Sequence, residues 1–273
     1  MKNYLLTIQY DGTDFVGWQR QNLPGANNRS VQEVVEKALK KLLRQEITLN
    51  GAGRTDSGVH GLGQTATFTA VTTVPAANMP WALNGILPPD VRVLSCCEMP
   101  LAFHARYSAV GKKYEYYLLN KSVHSAFDWR SFYICNYNLD FELMKRTAPV
   151  FEGRHNLKSF TANGNPVSSY EREIYHCRLE KLKTASPLPW QSSDEFWRLN
   201  IYGSGFLYKT VRLIMGGLIA VGRGKIGEAD LRYALDNPGK IIAPPAPARG
   251  LYMKKVFYEK AELEEWLNAE KTC

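Results

Sequence analysis

The spacing of apolar residues changes in a fixed order along the first hundred residues, and this order limits the fold more than any other feature. Between residues 4 and 10 apolar positions alternate, as in a strand. From Ser30, which is predicted to form a capping box with Glu33, they recur at helical spacing. Short strands at 47–49 and 64–69, a helix near 79–86 and a strand at 91–96 follow. The resulting order, β-α-β-β-α-β, is that of the ferredoxin-like split unit.

The second half repeats this order of elements, although no residue-level repeat accompanies it. The patterns predict strands at 114–119, 175–179, 197–201 and 251–257, helices at 141–151 and 206–221, an added helix at 230–235 and a closing helix at 261–269. We therefore predict an α+β fold of two ferredoxin-like β-α-β-β-α-β halves, residues 1–105 and 106–273. We expect their sheets to join into one large, mostly antiparallel sheet with helices packed on it and an active-site cleft between the halves.

A glycine-rich stretch at residues 51–64 is the strongest functional signal. Five of its fourteen residues are glycine, and among them stand Arg54, Asp56 and His60. Glycine allows a backbone to approach a ligand closely, at an entropic cost that structural loops rarely accumulate so often. We interpret the stretch as a loop that presents Asp56 and Arg54 at the end of a sheet.

Other interpretations of this stretch fit less well. A dinucleotide fingerprint needs a third glycine where Asp56 stands, and a phosphate loop needs a Gly-Lys-Ser/Thr that is missing. Asp56 and His60 have the spacing of helix-borne metal ligands, but the glycines argue against a helix and no third ligand is near in sequence. A solvated turn without function stays an alternative.

The composition of the chain indicates what kind of partner it binds and in which compartment it works. Lys and Arg number 34 and Asp and Glu 26, so the formal net charge of +8 favours a polyanion such as RNA or DNA over an anionic membrane. The five cysteines are odd in number and form no C-x-x-C pair, which suits neither a disulfide framework nor a zinc site. With no signal peptide and no apolar run of membrane length, a soluble, cytoplasmic protein is expected.

Several further segments could take part in binding. The loop at 11–21 mixes glycine, aromatic residues and Arg20, as a nucleic-acid contact or a packed surface loop would. The strand that contains Lys112, Lys113 and Tyr114 combines cations with aromatic rings, a mixture that holds unpaired nucleotides. The segment 221–225, with Arg223 and Lys225, and the pair Lys254-Lys255 add positive charge.

Asp56 needs neighbours before its chemistry can be defined, because a lone carboxylate can be a nucleophile, a general base or a cation ligand. Arg212, on the predicted helix 206–221, is the best candidate partner. Its charge would keep Asp56 ionised and orient it. The alternative is an arginine on an exposed helix face.

Five separated segments together resemble the bacterial tRNA pseudouridine synthase A family. They are residues 10–21 (YDGTDFVGWQRQ), 53–60 (GRTDSGVH), 113–116 (KYEY), 205–212 (GFLYKTVR) and 250–253 (GLYM). The resemblance implies an isomerase without cofactor or metal, acting as a homodimer on the anticodon arm of tRNA, at positions 38–40 of that RNA. The chain departs from the family where it has His155-Asn156-Leu157 and Lys209-Thr210.

The resemblance also implies a role for each matched position. Asp56 matches the nucleophilic aspartate, and Arg54 the arginine associated with displacing the target nucleotide. Tyr114 matches the tyrosine that stacks on uracil, Arg212 the basic partner of the aspartate, and Leu251 an apolar residue of the pocket. A non-catalytic module that binds structured RNA and a hydrolase with an aspartyl nucleophile are the rival interpretations.

Overall fold

The computed structural model describes residues 1–20, 29–120, 128–162, 167–182 and 196–272. Gln21, the last residue of the first family segment, and Cys273 lie outside the described residues. The chain divides into two compact units. Unit 1 consists of Met1–Val110 and Tyr252–Leu263, and unit 2 consists of Gly111–Leu251 and Glu264–Cys273.

The strands and helices occur in the order that the sequence predicts, with two further short strands in the second half, and form a mixed α+β arrangement. The strands are β1 (Lys2–Tyr10), β2 (Asn50–Gly51), β3 (His60–Ala70), β4 (Val91–Met99), β5 (Gly111–Asn120), β6 (Tyr133–Cys135), β7 (Gly153–Asn156), β8 (Glu171–Lys181), β9 (Phe196–Gly203) and β10 (Leu251–Phe257). The helices are α1 (Val31–Leu43), α2 (Met79–Asn84), α3 (Phe141–Thr147), α4 (Thr210–Gly222), α5 (Glu228–Asp236) and α6 (Lys260–Thr272).

In unit 1, β1 is the centre of a mostly antiparallel sheet. It pairs antiparallel with β4 on one side and β3 on the other, and β2 pairs antiparallel with the far part of β3. At the beginning of β3, His60 and Gly61 pair in parallel with Tyr252 and Met253 of β10. A late segment of the chain thus lies beside the strand that leaves the glycine-rich stretch.

The core of unit 1 follows from the two periodicities in the sequence. The alternating residues of β1 and the apolar stripe of α1 join one hydrophobic cluster with residues of β3, α2 and β4. Tyr4, Leu6 and Ile8 are at most 1% exposed. Each fully buried aliphatic side chain of this kind contributes about 1.5–3 kcal/mol.

Helix α1 begins where the sequence predicts, because the Ser30 hydroxyl accepts the backbone N–H of Glu33 at 3.3 Å. The bond from the Glu33 N–H to the Ser30 hydroxyl is one half of the predicted capping box. The other half is not observed, because the Glu33 carboxylate contacts Lys37 at 2.6 Å instead. Arg44 ends the helix in the left-handed region, with φ of 55°.

In unit 2, β5 pairs in parallel with β6 and antiparallel with β9, and the sheet continues antiparallel through β8 to β7. One face of this sheet is apolar and includes Tyr116, Leu199 and Ile201, each fully buried. Helix α4 is buried almost all round, which explains why its sequence is apolar on every side.

The opposite face of the unit 2 sheet carries a buried network of charges, which we call the polar face network. Lys113 lies 3.0 Å from Glu115 and 2.8 Å from Glu270 of α6, and Tyr202 donates to Glu270 at 2.8 Å. Arg198 links Glu115 to Glu180. Burial alone would raise the pKa of Glu270, but hydrogen bonds from Lys113 and Tyr202 outweigh it and lower the pKa overall.

Several predicted boundaries are wrong. The short strand predicted at 47–49 is β2 at Asn50–Gly51, and β3 begins at His60, inside the glycine-rich stretch. Helix α4 begins at Thr210 because its cap residue, Lys209, has a φ of 64°. Helix α3 gives way at Thr147 to a 3-10 turn that contains Pro149. The strands β6 and β7 are too short to leave a periodic signal.

Candidate active site

The glycine-rich stretch forms a short loop, residues 52–59, which we call the catalytic loop. Two hydrogen bonds fix the first end of this loop to β3, and its last residue, Val59, leads directly into the same strand. The backbone N–H of Ala52 donates to the carbonyl of Thr65 at 2.8 Å, and the side-chain amide of Gln64 donates to the carbonyl of Gly53 at 2.8 Å. The Gln64 side chain is fully buried, so the loop is anchored to the sheet from inside.

A second loop, residues 11–20, packs along the catalytic loop. The Trp18 N–H donates to the Thr55 carbonyl at 3.0 Å, and the Gly58 N–H donates to the Phe15 carbonyl at 3.3 Å. Phe15 and Trp18 are each 2% exposed. Of the two interpretations open for this loop, the packed loop is therefore right for its two aromatic residues.

The two loops approach so closely that glycine is required at two positions. Gly17 forms an isolated antiparallel bridge with Asp56 and has a φ of 114°, which a side chain rarely tolerates. A Cβ atom on Gly17 would lie 2.5 Å from the Thr55 carbonyl oxygen, and one on Gly12 would collide with the Val59 carbonyl. The backbone on which Asp56 stands is thus defined by its neighbour loop.

Side chains from three strands add further contacts around the catalytic loop. The hydroxyl groups of Tyr10 and Thr55 lie 2.8 Å apart in a buried hydrogen bond, and burial raises the pKa of Tyr10 far above its ordinary value. The His60 Nδ1 accepts the backbone N–H of Gly12 at 3.1 Å, while its ring stacks on Tyr252 with centroids 4.5 Å apart. The same Nδ1 also lies 3.2 Å from the Asp11 carboxylate.

The two candidate side chains of the catalytic loop differ in exposure. Arg54 is exposed, Thr55 beneath it is buried, and Asp56 is half-buried. Because the backbone at Asp56 is fixed by the bridge to Gly17, its carboxylate projects from a defined base. Such a carboxylate can act as a nucleophile or a general base without a large loss of conformational entropy.

In unit 2, the two tyrosines of the KYEY segment are both core residues on the apolar face of the sheet. Tyr114 is 6% exposed, and the edge of its ring meets Phe206 with centroids 5.2 Å apart. Tyr116 is fully buried, and its hydroxyl donates to the carbonyl of Pro247 at 2.8 Å. Both rings therefore lie in the core of unit 2.

Arg212 lies in the first turn of α4 and is half-buried, so it is not a simple surface arginine. Its Nε donates to the Ala246 carbonyl at 2.8 Å, and the Ala246 N–H donates to the Arg212 carbonyl at 2.8 Å. These two hydrogen bonds attach the proline-rich segment 244–247 to the beginning of α4. Leu251, the first residue of β10, is 6% exposed.

The candidate residues therefore belong to two sets, Arg54 and Asp56 on one loop of unit 1, and Tyr114, Arg212 and Leu251 in unit 2. Lys113 was expected to attract RNA, but it is 3% exposed and held by Glu115 and Glu270. Its ammonium group serves the fold. Sequence reasoning also missed Tyr10 and Thr55 as supports of the loop, because their hydrogen bond joins positions 45 residues apart.

Three general observations complete the description. Within the described ranges, no group of three His, Cys, Asp or Glu residues has the geometry to hold a metal ion. No described helix is both long enough and apolar enough to cross a membrane. Cys96, Cys97, Cys135 and Cys177 are free thiols, and burial raises the pKa of Cys96 to about 12.

Comparison with known proteins gives the family. The family model described as tRNA pseudouridine synthase matches residues 6–108 and 148–259, which include both the catalytic loop and α4. The chain therefore belongs to the tRNA pseudouridine synthase family, a family of isomerases. The family membership expected from the five resembling segments is confirmed.

Individual relatives carry a more particular name. The proteins named tRNA pseudouridine synthase A of Thermoanaerobacter sp. (strain X514) and of Acetivibrio thermocellus are each 38% identical over 259 residues, which cover 94% of this chain and 100% of theirs. Among solved structures, the archaeal box H/ACA sRNP Nop10-Cbf5 complex matches at 14% identity over 79% of this chain and 44% of that chain. Its TM-score of 0.32 is too low to support a conclusion about the fold.

Proposed function

We propose that this protein converts uridine to pseudouridine in the anticodon stem-loop of tRNA, at the positions 38–40 that the resemblance indicates, with Asp56 as the nucleophile. One observation carries the proposal. In a chain of the pseudouridine synthase family, the matching aspartate is half-buried on a loop whose backbone is bridged to Gly17 and anchored to β3. A carboxylate held in this way is oriented before substrate arrives.

The reaction is an exchange of bonds within one nucleotide. The bond from C1′ of the ribose to N1 of uracil breaks, the base turns, and a bond from C1′ to C5 forms. C5 loses its proton and N1 gains one, so no co-reactant is consumed. Asp56 assists departure of the base by attacking either the ring or the sugar, and it is released unchanged when the new bond is complete.

The other candidate residues have roles that suit this exchange. Arg212 would keep the Asp56 carboxylate ionised and orient it, since a planar guanidinium can pair with a carboxylate through two hydrogen bonds. Tyr114 would stack on the uracil, and Leu251 would help to exclude water while the base turns. Arg54, which is exposed, would displace the target nucleotide from its stem.

The proposal extends to the organisation of the molecule. Two ferredoxin-like halves divided near residue 105, sheets joined into one, a cleft between the halves, and a cytoplasmic homodimer remain predictions. In unit 1 the strand order β4-β1-β3-β2, antiparallel at every pair, supports the ferredoxin-like prediction. A solution mass near twice 30.9 kDa is the expected result for the dimer, and the monomer mass would refute it.

Treatment of an unmodified tRNA transcript tests the reaction. Transcript labelled with tritium at uracil C5 should release tritium to water, and mapping should locate pseudouridine in the anticodon arm. A transcript with cytidine at the mapped position is the matched control. Binding without tritium release would favour the non-catalytic RNA-binding module, and release of free base would favour a hydrolase.

A further inference from the structure

Arginine and tyrosine side chains alternate along unit 2, starting from Arg212. Tyr116 lies in the sheet beside the segment that Arg212 holds, with its hydroxyl on the Pro247 carbonyl at 2.8 Å. The ring of Tyr133 on β6 follows, 6.4 Å from the Tyr116 ring. Two more arginines are close enough for their charges to act on these rings, Arg249 on both tyrosines and Arg223 on Tyr133.

Arg249 is carried by a 3-10 turn, Ala248–Gly250, which packs on the Tyr116 ring. A Cβ on Gly250 would lie 2.6 Å from that ring. The Arg249 Nε is buried and has no hydrogen-bond partner within the described part of the chain. A buried donor without a partner costs about 1–3 kcal/mol, so this guanidinium is suited to a ligand that supplies acceptors.

Arg223 continues the row at the C-terminal end of α4, about 16 Å along the helix axis from Arg212 at about 1.5 Å per residue. Its guanidinium stacks on the Tyr137 ring, with 3.8 Å between the guanidinium carbon and the ring centroid. Both side chains are exposed, and so is Lys225 beyond them. Stacking uses the face of the guanidinium, which leaves its N–H edges available to a planar acceptor.

The positive charges of these arginines lower the pKa values of the neighbouring tyrosines, against the effect of burial. Burial raises the pKa of Tyr133 to about 12, and the charges of Arg249 and Arg223 oppose this rise. Burial also raises the pKa of Tyr116, opposed by Arg212 and Arg249. Within the described residues, no carboxylate lies within 4.0 Å of Arg249 or Arg223, so both charges are available to a polyanion.

We propose that Arg249, Arg223 and Tyr137 form a track for the sugar–phosphate backbone of the substrate RNA, continuing from Arg212 to the end of α4. The proposal rests on the proposed function, because it assigns the RNA a path on unit 2. Arginine binds phosphate through two parallel N–H bonds, and an exposed tyrosine adds a surface on which a sugar or base can lie. The track would fix the register of the RNA and not read its sequence.

The salt dependence of tRNA binding tests the track, using the full chain and an unmodified transcript. Removal of one phosphate-binding side chain should reduce the slope of log K against log salt by about 0.7–0.9. When salt is raised from about 50 to about 200 mM, the loss of affinity should therefore be roughly 3-fold smaller for Arg223→Ala than for wild type. Arg249→Gln should behave alike, and Arg223→Lys should restore most of the slope. In turnover, the half-saturating RNA concentration should rise more than the maximal rate falls.

Arg232→Ala is the matched control, because Arg232 is an exposed arginine of unit 2 paired with Glu228 on α5. Its slope should equal that of wild type. A wild-type slope in folded Arg223→Ala would overturn the track, even if Arg249→Gln failed to fold. A change in thermal stability alone would assign Arg223 to the helix dipole. If wild type makes no pseudouridine, the proposed function fails, whereas the slopes still decide the track.

Discussion

At the scale of single residues, the catalytic loop holds the backbone of Asp56 in a fixed position while its carboxylate stays only half-buried. The backbone of Asp56 forms a β-bridge with Gly17, and the hydroxyl of the adjacent Thr55 is hydrogen-bonded to the hydroxyl of Tyr10. The motif predicted the aspartate and the arginine directly. It could not predict the hydroxyl pair, because Tyr10 looks in sequence like any other apolar residue of a strand.

Replacement of the carboxylate should separate chemistry from binding. We expect Asp56→Asn to lower the single-turnover rate by on the order of 10⁴-fold, as removal of a nucleophile does. Affinity for tRNA should be retained, because one carboxylate only repels a polyanion. Asp14→Asn, an exposed aspartate on the neighbouring loop, is the control. Appreciable pseudouridine from Asp56→Asn would remove this residue from the mechanism.

Arg54 should matter most when the target uridine is paired. Extrusion of a base from a stem costs a few kcal/mol, and an exposed arginine two residues before Asp56 can occupy the vacated space. Arg54→Ala should lose most activity on a paired target uridine and less on the same uridine opposite a mismatch. Equal losses on the two transcripts, measured as single-turnover rates, would indicate a role in chemistry or general binding instead.

At the scale of elements, periodicity predicted the long strands and helices well and the short ones poorly. β1, α1, β4 and β10 have enough residues for alternation or a stripe to be visible, whereas β2, β6 and β7 have two to four. The start of α4 was predicted too early because apolar residues continue through 206–208, and nothing in the sequence announced the left-handed Lys209. The polar face network was hidden because charged residues are ordinarily assigned to solvent.

The close approach of the two loops can be tested at Gly17. Gly17→Ala places a Cβ 2.5 Å from the Thr55 carbonyl at a φ of 114°, which should cost about 1–3 kcal/mol of stability. We expect the rate to fall as well, because the bridged Asp56 moves with the strain. Gly239→Ala, where a Cβ has open space, should change neither the urea midpoint nor the rate. Wild-type values for Gly17→Ala would mean that the loops adjust freely.

At the scale of the whole molecule, buried titratable groups make stability depend on pH. Burial lowers the pKa of His176, with the Glu152 charge opposing and the Arg178 charge reinforcing the shift. The pKa of Glu270 is also lowered overall. For both groups the unfolded chain binds protons first as pH falls, so stability is present at neutral pH and decreases on acidification.

The loss should therefore occur in two ranges. The free energy of unfolding, measured by urea titration, should decrease first below about pH 6.5 as unfolded-state histidine becomes protonated, and again below about pH 4.5 through Glu270. His176→Gln should remove much of the first decrease, and Glu270→Gln should weaken the second. A free energy that is constant from pH 7.5 to pH 5.5 would contradict the assignment of His176.

The parallel pairing of β10 with β3 has a consequence for synthesis on the ribosome. Tyr252 reaches its place beside His60 only after about 190 further residues have been made. At about 5–20 residues per second, this takes roughly 10–40 s of translation. During that interval the nascent chain has a catalytic loop without the Tyr252 ring against His60. An enzyme organised in this way can complete the contacts around its catalytic loop only after Tyr252 has been synthesised.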